Sequence, residues 1–459
     1  MQTIQAEQAL TAQGWCSDVL VSLDGNGRIA SMETESQKPG DTSVGVLLPA
    51  PANLHSHAFQ RAMAGLSERR GPGGSDSFWT WRGTMYRFVD VLTPDDVEVI
   101  AALVQMEMLE AGFAAVAEFH YLHHQPGGAP YADIAEMSSR IAAAASTTGI
   151  GLTLLPVLYS QGGCDGRALG PGQVRFGNDP ERYAELFEAV RKALAALPAD
   201  TVLGVAPHSL RAVNREGLVY VATLNPDGPV HIHAAEQIAE VEEVEAAYGA
   251  RPVEYLLEHA GIDRRWCLIH CTQMTHHETE RLAHSGAVAG LCPITESSLG
   301  DGIFDGRAYL DAGGSFGVGS DSNIRISLTE ELRTLEYSQR LRDHARAVLA
   351  GEGCSTGRLL YEESAKGGAQ ATGREAGVIA PGMLADLVAL DGFSDHGAID
   401  LVGKRGDGVL DAFLFAGDSA MVKEVWAAGR HVVRQGRHIH RAPIIEAYRK
   451  TMSALEKRL

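Results

Sequence analysis

The chain has 459 residues, more than a single domain usually takes, so one large unit joined to a smaller one is the expectation. Its 45% hydrophobic and 21% charged residues exclude a disordered or fibrous protein and allow a sizeable core. A formal net charge of -19 excludes a general nucleic-acid binder, which needs a basic footprint, and obliges any anionic substrate to find local arginines.

The opening MQTIQAEQALTAQG lacks a basic-then-apolar targeting pattern, and no apolar run approaches the roughly 20 residues that span a bilayer, so a cytoplasmic protein with no membrane partner is expected. Cys16, Cys164, Cys267, Cys271, Cys292 and Cys354 form no C-x-x-C pair, which predicts neither a disulfide framework nor a zinc ribbon.

Residues 1–48 read as short strands with a turn at DGNG, the first part of a small β domain. The run VGVLLPAPANL then reads as a strand leading into HSHAFQ and opens the unit assigned to 49–375. In TPDDVEVIAALVQMEMLEAG (93–112), a Thr cap, Pro at the first helical position, two acids in the first turn and a closing Gly predict a helix. Strand-type runs follow at 113–119, 150–158, 201–207, 229–233, 266–270, 287–293 and 315–321, making eight with the first. Helical patterns such as YADIAEMSSRIAAAASTTG and DPERYAELFEAVRKALAALP lie between them. Eight parallel strands alternating with helices predict an α/β protein built on a closed (β/α)8 barrel, with an open doubly wound sheet as the alternative. THHETERLAHSG and TEELRTLEYSQRLRDHARAVLAG are amphipathic, and their charge runs read as solvated faces. Residues 376–459 supply GVIAPGMLADLVAL, KEVWAAGRHVVRQGRHI and a C-terminal helix, and with 1–48 they complete a small β-sandwich.

Residues just past the C-terminal ends of barrel strands converge on one mouth, which turns sequence position into a spatial prediction. His55 and His57 follow the first strand; in a strand alternate side chains share a face, so both imidazoles project together. HIHAAE brings His231, His233 and Glu236 past the fifth strand, His270 ends the sixth, and GSDSN puts Asp321 at the eighth. His55, His57, His233 and Asp321 make a nitrogen-rich metal site completed by one carboxylate, with a position left for water as a catalytic zinc site requires. His231 alternates to the other face and reads as a packing residue.

HSHAFQ, HIHAAE, His270 and GSDSN together resemble the amidohydrolase superfamily in its mononuclear deaminase branch, over essentially the whole chain from Val46 onward. PANLHSHAFQRAMAGL, the W-R-G of WTWRGTMYRF and PHSLRAV are most similar to the formimidoylglutamate deiminases of histidine degradation. VAPHSL carries no lysine where binuclear relatives place a bridging one, so the resemblance implies one divalent ion; zinc is the first expectation, and iron and manganese stay open because histidine and carboxylate ligands accept several divalent ions. It implies hydrolysis of N-formimino-L-glutamate to N-formyl-L-glutamate and ammonia, and a homodimer.

In that chemistry a zinc-type ion lowers the pKa of water toward about 7. Asp321 orients the attack, Glu236 carries a proton to the departing nitrogen, and His270 hydrogen-bonds the water or stabilises charge. The substrate is an acidic amino-acid derivative, and the resemblance points to Arg82, His208 and Arg211 as its binding residues, with Gln60 and Tyr121 as polar contacts. His120, His123 and His124 stay unassigned, a loop as readily solvated as functional. The same metal set would serve a guanine, 8-oxoguanine or cytosine deaminase, an imidazolonepropionase-like cyclic-amide hydrolase or, outside catalysis, a metal-bound scaffold.

Overall fold

The computed structural model describes residues 2–66, 68, 78–391, 401 and 403–459; parts of the predicted 376–440 strand region, and the side chains of Trp79 and Thr80 in the W-R-G stretch, lie outside what is described. Eight parallel staves surround one axis. They are Ala52–Ser56, Ala115–His120, Gly151–Leu158, the paired short pieces Val202–Leu203 and Ala206–Pro207, then Val230–His233, Trp266–Ile269, Val288–Leu291 and Ser315–Val318. Two hydrogen-bonded sheets hold these staves, and isolated parallel bridges at Val205–Val230 and Ser56–Asp321 join the sheets into a closed ring. The chain therefore folds as the expected (β/α)8 barrel.

The run VGVLLPAPANL is not one strand but two. Thr42–Pro49 pairs with Gln2–Thr11 and Leu387–Leu390, whereas Ala52–Ser56 starts the barrel. Pro49 and Pro51 lack the N–H that would carry one ladder through, so the chain changes sheets there. The terminal β domain has the strand order Arg437–His438, Arg430–Arg434, Val422–Ala427, Leu387–Leu390, Thr42–Pro49, Gln2–Thr11, Gly14–Leu23, Ile29–Glu33. Val19, Val21 and Ile29 from one half of this order share a core with Leu387 and Trp426 from the other, the packing of a sandwich. The alternate residues Val46, Leu48, Val388 and Leu390 belong to the large barrel core, so both faces are buried.

Helix Pro94–Glu110 begins as its sequence requires: the Thr93 hydroxyl accepts the Asp96 N–H, and the Asp96 carboxylate accepts the Thr93 N–H at 2.9 Å. The 131–149 pattern is helical only over Glu136–Thr148, and the 329–351 pattern only over Leu328–Asp343, which ends at His344 with φ +51°. The latter helix is not a wholly solvated charged face. Glu331 is buried and accepts the Ile294 N–H at 2.9 Å, and Glu336 accepts the Val348 and Leu349 N–H groups at 3.0 Å. Helices Phe78–Val91, Thr356–Ala371 and Asp407–Phe415 are additions to the predicted set. Gly367 and Gly368 lower the helix propensity of Thr356–Ala371, yet a Cβ at Gly367 would collide with the Phe316 carbonyl. Their smallness lets this helix press against the eighth stave. Among the described residues no helix is long and apolar enough to cross a membrane.

Candidate active site

Closure of the barrel builds the site. The His57 N–H donates to the Asp321 carbonyl and the Asp321 N–H to the His55 carbonyl, both at 2.9 Å, so three of the four predicted ligands face one another across the closing seam. Gly319 permits this approach, because a Cβ there would stand 2.6 Å from the His55 nitrogen. One ligand atom each from His55, His57, His233 and Asp321 lies within 4.8 Å of every other. Asp321 Oδ1 is 3.4 Å from His55 Nε2 and 3.3 Å from His57 Nε2, close to the ~3.3 Å edge of a tetrahedron with ligands about 2.05 Å from its centre.

Hydrogen bonding prepares these rings for a cation. His57 Nδ1 donates to the Phe119 carbonyl at 2.9 Å and His233 Nδ1 to the His208 carbonyl at 3.0 Å, which leaves each Nε2 lone pair facing the cluster. Among the described residues neither ring nitrogen of the fully buried His55 has a hydrogen-bond partner. Burial pushes His55 down to about 3 and holds His57 and His233 below the ordinary histidine value, so all three are neutral. Burial opposes the Asp321 carboxylate, but the surrounding imidazoles outweigh it and keep the group ionised. Neutral imidazoles, an ionised carboxylate and orphaned buried nitrogens fit a divalent cation.

His270 stands beside this cluster, its Nε2 3.8 Å from Glu236 Oε1 and its Nδ1 3.3 Å from Glu296 Oε1. Burial disfavours its charge, yet Glu236, Glu296 and Asp321 together raise it to about 10. Burial, reinforced by Asp321 and Glu240, pushes Glu236 up to about 7 against the pull of His270 and Arg211. The backbone of His270 (φ +78°) and of Asp321 (φ +46°) is left-handed, the strain expected where side chains are aimed rather than packed for stability.

A cleft of about 820 Å³, its open mouth included, extends from the cluster. All five expected substrate-binding residues line it: Gln60, Arg82, Tyr121, His208 and Arg211. Gln60 Nε2 donates to the Tyr121 hydroxyl at 2.8 Å, while Gln60 Oε1 is buried without a partner among the described residues. Arg211 Nη2 lies 4.0 Å from Glu240 Oε2, and among the described residues its Nε has no hydrogen-bond partner. Arg82 Nη2 donates to the Tyr159 hydroxyl at 3.2 Å, and His208 Nδ1 lies 3.0 Å from Ser209 Oγ.

The fold turns His231 away from the cluster, its Nε2 donating to the Ala371 carbonyl at 2.7 Å. His120, His123 and His124 are not solvated: all three are buried, with His123 donating to Val157 O and His124 contacting Gly177 O and Asn178. Sequence reasoning missed Glu296 and Tyr159. Each follows a barrel strand closely, in CPITE and VLYS, so the same strand-end rule would have found them. It also missed the buried Glu118, which accepts the Ala58 N–H at 2.7 Å and braces the turn after His57.

Residues 46–432 match the Amidohydrolase family, and residues 1–43 match the N-terminal domain of formimidoylglutamate deiminase HutF. The chain is 48% identical over 441 residues to the formimidoylglutamate deiminase of Pseudomonas aeruginosa, covering 95% of this chain and 96% of the relative. A crystal structure of an amidohydrolase from Brucella melitensis superposes with a TM-score of 0.94 at 49% identity, covering 99% of this chain and 100% of the other. The fold alone is shared with an adenosine deaminase from Xanthomonas campestris with bound zinc, at a TM-score of 0.81 and 22% identity over 99% and 98% of the two chains. With a family match over most of its length and a close relative covering nearly all of it, the chain belongs to the amidohydrolase family, in its formimidoylglutamate deiminase branch.

Proposed function

We propose that the chain adds water across the C=N bond of N-formimino-L-glutamate and releases ammonia, leaving N-formyl-L-glutamate. The observation that carries this reading is the meeting, in one cleft, of the His/Asp cluster with Arg82 and Arg211, whose side chain is 12% exposed. In a chain of net charge -19, two guanidinium groups beside a cation site suit a substrate with two carboxylates. The name of the 48% identical relative agrees with it.

One divalent ion, assigned as zinc, would be held by His55, His57, His233 and Asp321, where it supplies the Lewis acidity that brings the pKa of water to about 7. Asp321 orients the attacking water and takes its first proton. Glu236, pushed up to about 7, both accepts and returns a proton at neutral pH and delivers one to the departing nitrogen. His270, steered by Glu296, places a charged donor beside the attacking oxygen. Arg82 and Arg211 bind the carboxylates, the partnerless Gln60 Oε1 accepts a substrate N–H, and Tyr121 and His208 line the remaining wall.

An ammonia-release assay across N-formimino-L-glutamate, guanine, 8-oxoguanine, cytosine and imidazolone propionate tests the reading. Release from the formimino compound is expected; release from a nucleobase in its place overturns it. We further infer a division into 1–48 with 376–459 and 49–375, and a homodimer on the family resemblance, which sedimentation tests.

A further inference from the structure

The residue that follows the third stave, Tyr159, presents its hydroxyl to two groups that can only donate. Gln173 Oε1 accepts the Gly170 N–H at 2.8 Å, which fixes the amide orientation and turns Gln173 Nε2 toward the Tyr159 oxygen at 2.8 Å. Arg82 Nη2 reaches the same oxygen at 3.2 Å, and a guanidinium has no acceptor to offer. A phenol oxygen that accepts twice has its lone pairs occupied and its own proton left over. Among the described residues no hydrogen bond from the Tyr159 hydroxyl is present. The ring is held edge-on by His208, 4.6 Å away between centroids, and flanked by Phe176 at 5.7 Å, and all three residues line the cleft.

We infer that the Tyr159 hydroxyl is a third anion-binding group of the cleft, donating to a carboxylate of the substrate beside Arg82. This rests on the acidic-substrate reading and deepens it. Two neighbours that compel a hydroxyl to donate select an acceptor ligand. They do so without burying a third full charge, which would cost far more than orienting a neutral dipole. Gln173 then has a role that its position on the 159–178 loop does not advertise: it holds Tyr159 in the donating state.

The test uses Tyr159→Phe, which keeps the ring and removes the hydroxyl, in the metal-loaded enzyme. Calorimetry with N-formyl-L-glutamate, and KM for N-formimino-L-glutamate, should both worsen by about tenfold, the order expected for losing one hydrogen bond to a charged group. kcat should stay within about twofold, and metal content and turnover of a neutral formimino-alkylamine should not change. The tenfold loss should persist in an Arg82→Met background. Unchanged binding in Tyr159→Phe overturns the inference, as does a loss that vanishes in Arg82→Met, since Tyr159 would then act only through the arginine. Equal losses for the charged and neutral substrates would reduce Tyr159 to a packing role and overturn it too. If the parent enzyme neither binds N-formyl-L-glutamate nor releases ammonia from the formimino compound, the acidic-substrate reading itself falls, and this inference with it.

Discussion

Two clusters of buried charge sit at opposite ends of the barrel and are built to opposite rules. At the N-terminal end the Arg374 side chain is wholly buried with each of its nitrogens paired: Nε and Nη2 donate to Asp386, Nη1 to the Asp200 carbonyl and Nη2 to the Asp200 carboxylate. Arg430 adds two more bonds to Asp200, at 2.7 and 2.8 Å, and Asp386 also accepts the Ala428 N–H. At the mouth, buried atoms keep open valences among the described residues: both His55 nitrogens, Gln60 Oε1 and Arg211 Nε. Unequal satisfaction of buried atoms separates the two. A filled network clips the barrel to the terminal sheet; an unfilled one waits for ligands.

The sharpest way to break that contrast is to remove a mouth group and look for a stability loss. Glu236→Gln should lower kcat by about a hundredfold to ten-thousandfold while metal content and Tm stay near the parent's, as steady-state kinetics with metal analysis and calorimetry will show. A variant with near-normal kcat removes Glu236 as the proton carrier. Its counterpart is Arg374→Met, which leaves Asp386 to the Ala428 N–H and Asp200 to Arg430. It should cost about 3–5 kcal/mol in denaturant unfolding, with kcat/KM per folded molecule unchanged.

Arg211→Met sharpens the picture from the substrate side. kcat/KM for N-formimino-L-glutamate should fall about tenfold to a hundredfold at low salt, and little for a neutral formimino-alkylamine. Equal losses for both would move Arg211 into the structural class. The smallest effect is in pH. Burial opposes the Asp200 charge, but Arg430 and Arg374 outweigh it and hold the carboxyl below its usual value. A depressed folded-state pKa stabilises the fold above the unfolded value of about 3.9, and that gain is lost as pH falls through the folded value. The stability gap between parent and Arg374→Met should therefore hold at neutral pH and narrow below about pH 4, measured as unfolding midpoints across pH.

The mouth was legible in the sequence because it obeys two periods. Side-chain alternation pairs His55 with His57, and the repeat of strand and helix brings the strand-end residues His233, His270 and Asp321 to one mouth. The seam contact of Asp321 with His55 and His57 was not legible, since it depends on ring closure and on Gly319, whose small size looks the same in any strand. The Arg374 cluster was invisible for a similar reason. Arg374 and Asp200 are 174 residues apart, and neither lies in a motif or on a periodic face. Of the three histidines, His120 ends the second stave; His123 and His124 misled because polar residues in a loop suggest solvent, whereas the overlying 159–178 loop covers them: the Arg175 carbonyl accepts both of their N–H groups.

His55, His57, His233 and Asp321 are proposed to hold one cation between them. Metal analysis and calorimetry of the parent and of the His55→Ala/His57→Ala double variant test it most directly. One divalent ion per active parent chain with a Tm raised by loading is expected, and neither binding nor a Tm response in the double variant. Two ions per active chain, or full occupancy in the double variant, would contradict it.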